Sequence, residues 1–430
     1  MKKKVVILFI FLLGLAWYTT ISSITGNPRK AEECLAKAEE LEAKGIYVDA
    51  ITEYENALEY RPGDEGITLK MANAYLNTGN SKKYIQICKE LAESNQDNPD
   101  PMNSLMDYYM ENGEEVDAVK YLKDYMGMYP ENETAQNWLV QLKGTYVELY
   151  NRYDEIGDVY QNSMVVKTES GYGVADVLGA EILEPVFQEA QPFSEEGLAL
   201  ICKDGRYSYV DEDGQTRLVP DETYSDLHML HSDRTIAASN GKYGYLDEKL
   251  EAVTELQWDQ LTLIQDGMGA GQKDGKWALV NENGKNKTDY VYDDVIMDSY
   301  GFCFGQERAF VKQGETYQLV NKKGKRIGEL EFDDAKCFSD TGYAAVCKDG
   351  LWGYIDKDGE LLIDYKYEDA QSFHNGFAAV CEDGLWGYID ETGTLVIKPQ
   401  FEQASAISEK GTAAVLENEE WKLIQLNWFE

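Results

Sequence analysis

At 430 residues the chain has room for two or three domains of roughly 100–200 residues each; a hydrophobic content of 43% supplies packed cores and excludes global disorder. Its 78 acidic against 40 basic residues leave a formal charge of −38, which excludes nucleic acid and anionic lipid surfaces as partners, because phosphate binding needs clustered Lys and Arg. Such a charge favours cationic partners or divalent ions and otherwise serves solubility.

Lys2-Lys3-Lys4 precede an apolar run from Val5 to Tyr18 whose Thr/Ser tail extends to Ile24. With that tail the run reaches the ~20 residues of a spanning helix. A basic head before an apolar run also describes a secretory signal, but no small-residue cleavage site follows Trp17 and no nearby Cys could take a lipid. Residues 1–26 are therefore expected to be a cytoplasmic stub and a transmembrane signal-anchor. The lysines stay inside, and the bulk is extracytoplasmic, tethered to the cell membrane by a single pass. Secretion after cleavage is the alternative.

Residues 30–153 carry helical spacing. Gly45, Gly79 and Gly113 stand 34 residues apart, Ala50, Tyr84 and Ala118 keep the same step, and Pro62 and Pro130 close the first and third units. Ala38, Leu41, Tyr47, Tyr54 and Ala57, then Ala72 and Tyr75, then Tyr109, Leu122 and Tyr125 fall where small residues let paired helices approach and aromatics fill the seam. This resembles the tetratricopeptide repeat, a helix–turn–helix unit of 34 residues. Tyr84 and Leu91 stand in place of small residues, so the middle unit departs from the pattern. Ala135, Trp138, Leu139, Leu142, Tyr146 and Leu149, at steps of three and four, predict a capping helix over 133–150. The resemblance implies a binding groove lined by Glu39, Glu42, Asn73, Asn77, Asp107 and Glu111. Such a wall suits a basic or neutral peptide. The subclass that grips a terminal carboxylate has Lys at positions occupied here by Leu35, Leu69 and Asn103, so that activity is not implied.

From about Asn162 to Glu430 the period belongs to strands. An aromatic anchors each of eight copies: Tyr172, Tyr207, Tyr243, Trp277, Tyr317, Trp352, Trp386 and Trp421, at spacings of 35, 36, 34, 40, 35, 34 and 35. The unit beginning at Tyr343 predicts strands 343–347, 352–356 and 360–363 joined by Asp-Gly turns, which supply the positive φ of tight hairpins. A crossover follows, marked by aromatic-x-x-small spacing as in Phe332/Ala335 and Phe401/Ala404. This is similar to the WG repeat, carried most clearly by Trp352-Gly353 and Trp386-Gly387; the copies at Tyr207-Ser208, Trp277-Ala278, Tyr317-Gln318 and Trp421-Lys422 lack the Gly. Three-stranded meanders are marginal alone and must stack. The chain ends soon after the Trp421 strand, leaving the last unit without its outer strand. That suits a propeller-like ring of seven or eight blades closed by joining the two ends; an open β-array is the alternative.

The fold class is thus α plus all-β: two repeat domains, a tetratricopeptide-type α-solenoid over 30–153 and antiparallel β repeats over 162–430, behind a transmembrane helix. Catalytic signatures are absent: no nucleophile elbow, phosphate loop or dinucleotide fingerprint occurs. His228 and His231 are too few to close a zinc site, and the Asp-x-Asp-Gly turns at Asp211 and Asp356 lack the remaining ligands of a calcium loop. No metal or cofactor is expected. The anchor aromatics are structural, while Tyr367 and Phe401 in the crossovers are the candidates for contact with sugars. Cys202, Cys347 and Cys381 share one repeat position and are expected to be free, packed thiols. The function implied is a membrane-anchored, non-enzymatic protein-interaction scaffold. A cell-envelope glycan- or ion-binding module, with the helices as spacer, is the alternative.

Overall fold

The computed structural model describes residues 28–150, 152–220 and 224–429. The expected span over residues 1–26 lies outside them. Among the described residues no helix is long and apolar enough to cross a membrane. The chain divides into two units, one ending at Leu139 and one beginning at Val140.

Seven helices precede the strands among the described residues: α1 (Pro28–Ala43), α2 (Tyr47–Tyr60), α3 (Glu65–Asn77), α4 (Ser81–Ser94), α5 (Asp100–Asn112), α6 (Glu115–Met128) and α7 (Glu133–Leu142). Gly45, Gly79 and Gly113 take φ of 72°, 85° and 68°, the left-handed conformation that reverses the chain within each pair. Asp64 caps α3 by accepting the Ile67 N–H at 3.1 Å, and Asn80 caps α4 through Lys83 at 3.2 Å. Ala38, Ala50, Tyr54, Ala57 and Ala74 are fully buried in one seam with Ile51 and Ile67. The bulky substitutes of the middle unit, Tyr84 and Leu91, are buried too, and Tyr84 donates its hydroxyl to the Ser104 carbonyl at 2.7 Å.

The capping helix expected over 133–150 is half helix and half strand. α7 stops at Leu142, and Tyr146–Leu149 is extended. A Cβ at Gly144 would lie 1.7 Å from the Val396 carbonyl oxygen, so this residue lets the chain run hard against the strand Leu395–Phe401. Tyr146–Leu149 then pairs antiparallel with 423–426. Its apolar spacing fits a helix face, but a strand edge with unmatched backbone groups wins it.

Eight sheets follow, each a blade of one ring: 155–187, 189–218, 226–247, 260–281, 294–321, 334–367, 369–401 and 403–426, the last completed on its outer edge by 146–149. Closure by the two ends of the β segment therefore holds, and the number of blades is eight. The expected three-strand count holds for 226–247, 260–281 and 294–321, and the other five sheets have a fourth strand. In all blades but the first the crossover contributes a two-residue innermost strand, such as Asp334–Ala335 or Asp369–Ala370, and the three-stranded sheets are those whose outer strand is reduced to isolated bridges.

Each seam between neighbouring blades holds its own apolar cluster. Blade 1 meets blade 8 through Ile156, Met164 and Val166 against Ala414 and Leu423, and blade 6 meets blade 7 through Tyr354 and Tyr367 against Phe373, Ala378 and Ile389. Tyr367 and Phe401 are buried in these seams, at 0% and 1% exposure, which removes them as sugar contacts. Strand spacing explains this: each ends an outer strand and faces back onto its anchor, Trp352 or Trp386.

Candidate functional site

The groove residues of the helical unit do not share one fate. Glu39 on α1 is ion-paired with Lys70 on α3. Glu42, half-buried, accepts the Tyr54 hydroxyl at 2.7 Å; burial, with this carboxylate second, raises that phenol well above its usual range. Asn73 and Asn77 on α3 and Asp107 and Glu111 on α5 are exposed and repeat at the period of the unit. Leu35 packs at the core, and Asn103 accepts the Trp138 indole N–H at 2.8 Å, tying α7 to α5.

The eight anchor aromatics occupy one ladder position, opposite the penultimate residue of the preceding strand: Trp352 faces Cys347, Trp386 faces Cys381 and Tyr207 faces Cys202. The Gly after the anchor has a steric reason. A Cβ at Gly353 or Gly387 would come within 2.5 Å of the Ile363 or 2.4 Å of the Ile397 carbonyl oxygen, where the bulged outer strand crosses. Carboxylates just past the outer strands hold the next hairpin: Asp259, Asp293, Asp333 and Glu368 accept the N–H of Asp274, Gly314, Asp349 and Gly384 at 2.6–2.9 Å. Part of the acidity is thus turn chemistry.

The three thiols at equivalent repeat positions, Cys202, Cys347 and Cys381, are free and buried. The histidine pair diverges. His228 Nε2 lies 3.3 Å from Asp226, whereas His231 is buried with Nδ1 2.9 Å from the Tyr160 hydroxyl. The Asp356 carboxylate is occupied by the N–H groups of Asp358 and Glu360, both at 2.9 Å, as a turn residue. Among the described residues no three His, Cys, Asp or Glu side chains gather as metal ligands.

Sequence reasoning missed a hollow in the ring. It lies at the axis, about 600 Å³, walled by loops of blades 1, 4, 5, 6, 7 and 8. Its floor is a loop of blade 5, residues 298–303, which reaches across to other blades. Tyr300 donates its hydroxyl to the Asp158 carbonyl at 2.6 Å, Ser299 donates to Asp158 Oδ2 at 3.0 Å, and the Gly301 carbonyl accepts the Leu263 N–H at 2.8 Å. Tyr160 stacks on Phe302 with centroids 6.0 Å apart, and His231 meets the same Phe302 edge-on at 4.8 Å. Asp298 Oδ1 holds the loop through the N–H groups of Tyr300 and Phe302 at 3.0 and 2.9 Å. Asp298 is exposed to the hollow, yet the protein packed around it desolvates its carboxyl and pushes it up to about 6, with Asp158 adding to it. Burial lowers the His374 imidazole, and Asp340, 3.7 Å away, opposes that. The signal was in the spacing: Trp277 to Tyr317 is 40 residues, six more than the 34 from Tyr243 to Trp277. Those residues form this loop.

Models of the WG containing repeat match residues 172–207, 243–277, 319–352, 352–386 and 386–421, and a tetratricopeptide repeat model matches 41–106. The chain carries a tetratricopeptide repeat followed by WG repeats. The WG matches pass over 278–318, the stretch that contains the axial loop. No curated protein matches the chain. Among solved structures it is similar to Kluyveromyces lactis Hsv2 (11% identity, 63% of this chain and 98% of that one, TM-score 0.37) and to Saccharomyces cerevisiae Sqt1 (10%, 65% and 97%, 0.40). The Neurospora crassa Pan2 WD40 domain gives 10% identity over 66% and 96%, with a TM-score of 0.36. Scores this low carry no weight for function. Tetratricopeptide and WG-repeat architectures fit a protein-interaction scaffold.

Proposed function

We propose that the protein is a non-enzymatic scaffold, held at the outer face of the cell membrane by its N-terminal segment, which binds a basic or neutral protein segment along the helical groove. The observation that supports it is the recurrence of Asn73/Asp107 and Asn77/Glu111 on the exposed side of α3 and α5, while Ala72, Ala74, Met106 and Tyr109 of the same helices are buried. Repetition of exposed polar positions at the unit period presents a ladder to an extended or helical segment. Anchoring rests on the Lys2–Lys4 head and the apolar run after it. A second binding face on the ring would raise avidity through effective concentration, without one strong pocket.

The test is cross-linking in envelope preparations. The wild-type chain captures a defined protein partner, and the variant combining Asn73→Lys and Asp107→Lys loses it while retaining its thermal midpoint. Retention on purified wall glycan after removal of 30–153 would instead favour the glycan-binding role. Mass spectrometry of the mature N-terminus decides anchor against cleaved leader.

A further inference from the structure

The axial hollow has features the scaffold role does not use. Four carboxylates line it, Asp158, Asp298, Asp340 and Glu409, from blades 1, 5, 6 and 8. Among the described residues none of them is ion-paired with Lys or Arg; the nearest basic group is the His374 imidazole by Asp340. The one lysine in the lining, Lys336, has its ammonium 5.0 Å from the centre of the Trp352 ring. Elsewhere in the ring crossover acids meet cations, as Lys242 with Asp259, Lys276 with Asp293 and Lys167 with Glu155. Two aromatic rings of the lining, Tyr160 and Tyr300, are half-buried and reach the hollow, backed by Phe302, Phe304 and Phe338, which are buried beneath. Rings whose faces carry partial negative charge, beside carboxylates without a counter-charge, make a site for a soft, weakly hydrated cation rather than for a bare metal ion, which would need converging oxygen ligands.

We propose that the axial pocket of the ring binds an organic cation, an ammonium or guanidinium group, delivered either by a Lys or Arg side chain of a protein partner or by a free amine. The volume admits one such side chain with its aliphatic stem along the aromatic wall. Ser299, Gln371 and Asn375, also in the lining, supply oxygen acceptors around the head group. Blade 5's loop brings Asp298 and Tyr300 to Asp158 and so assembles a site that the repeat alone does not contain. The proposal stands on the ring and does not depend on the helical groove.

The test is calorimetric titration of the full-length chain with N-acetyl-arginine methylamide and N-acetyl-lysine methylamide, with N-acetyl-glutamine methylamide as the neutral control. The two cationic probes are expected to bind at least tenfold tighter than the control at low salt, and to weaken as sodium chloride is raised. Asp158→Asn and Asp298→Asn keep the hydrogen-bond acceptors of the loop and should each weaken cation binding about tenfold. Asp340→Asn and Glu409→Gln, exposed like the other two but with carboxylates that do not hold the blade 5 loop, provide a second pair of variants. A peptide with a single Lys or Arg that binds at least tenfold tighter than its amide assigns the pocket to a partner side chain; amides or spermidine binding as tightly as the peptide assign it to a free amine. Equal affinity for cationic and neutral probes, or unchanged cation affinity in Asp340→Asn with Glu409→Gln and in Asp158→Asn, overturns the proposal.

Discussion

Blades 6 and 7 are near copies of one another, whereas blade 5 keeps the ring position and discards the details. In the copies, a Trp-Gly pair receives a seven-residue outer strand, Leu361–Tyr367 or Leu395–Phe401. In blade 5 the pair is Tyr317-Gln318, and the outer strand has shrunk to isolated bridges at Tyr317–Phe332 and Val320–Arg326. Yet the seams on both sides of blade 5 are as buried as those of blades 6 and 7, with Phe304 and Val311 on one side and Phe310 and Phe332 on the other. Seam packing holds the ring, and outer-strand pairing decorates it. Freed from the pattern, blade 5 grows the loop that builds the axial pocket.

The largest effect expected follows from that contrast. Gly353→Val drives a side chain into the Ile363 carbonyl and should cost about 3 kcal/mol or more. Gln318→Ala, at the equivalent position of blade 5, should change stability by no more than about 0.5 kcal/mol. Urea denaturation of the two variants measures the difference. Next in size, Trp352→Ala opens a cavity in a seam where only 6% of the residue is exposed, at about 3–5 kcal/mol. Trp386→Ala, half-buried at the same ladder position, should cost less, and thermal melts of the pair rank them.

Smaller again, Tyr300→Phe removes the hydroxyl donated to the Asp158 carbonyl and should cost about 1 kcal/mol while loosening the loop, read as faster amide exchange at Tyr300 and Phe302. The smallest effect is a pH slope. The folded-state acid constant of Asp298 lies above its ordinary value, near 6, so the folded chain binds this proton more tightly than the unfolded chain does. Its contribution therefore favours folding at low pH and turns unfavourable as pH rises through about 6. Denaturation midpoints of wild type minus Asp298→Asn should fall between about pH 4.5 and about pH 7. Cation affinity should run the opposite way, rising over that window as Asp298 ionises and as any residual charge on His374 is lost.

What the sequence made legible was periodic. The spacing of Gly45, Gly79 and Gly113 and of the anchor aromatics located the two repeat segments, and the missing strand after Trp421 pointed to ring closure. Contacts between units of unlike sequence were harder. Tyr146–Leu149 has a pattern compatible with a helix face, and only the unmatched edge of 423–426 makes it a strand. Tyr367 and Phe401 looked like crossover residues because the two-residue inner strands after them are too short to leave a signal. Asp158, Asp298, Asp340 and Glu409 are far apart in the chain and share no motif; the ring brings them together. Their one trace was the 40-residue step, a break in a rule that had otherwise served only to count blades.

Amide hydrogen exchange over 146–149 tests ring closure most directly. The account predicts that the amides of this segment facing 423–426 exchange as slowly as those of the central strand Thr412–Glu417, opening only with global unfolding. Exchange as fast as that of an exposed, unpaired segment, with the rest of the ring still protected, would contradict it.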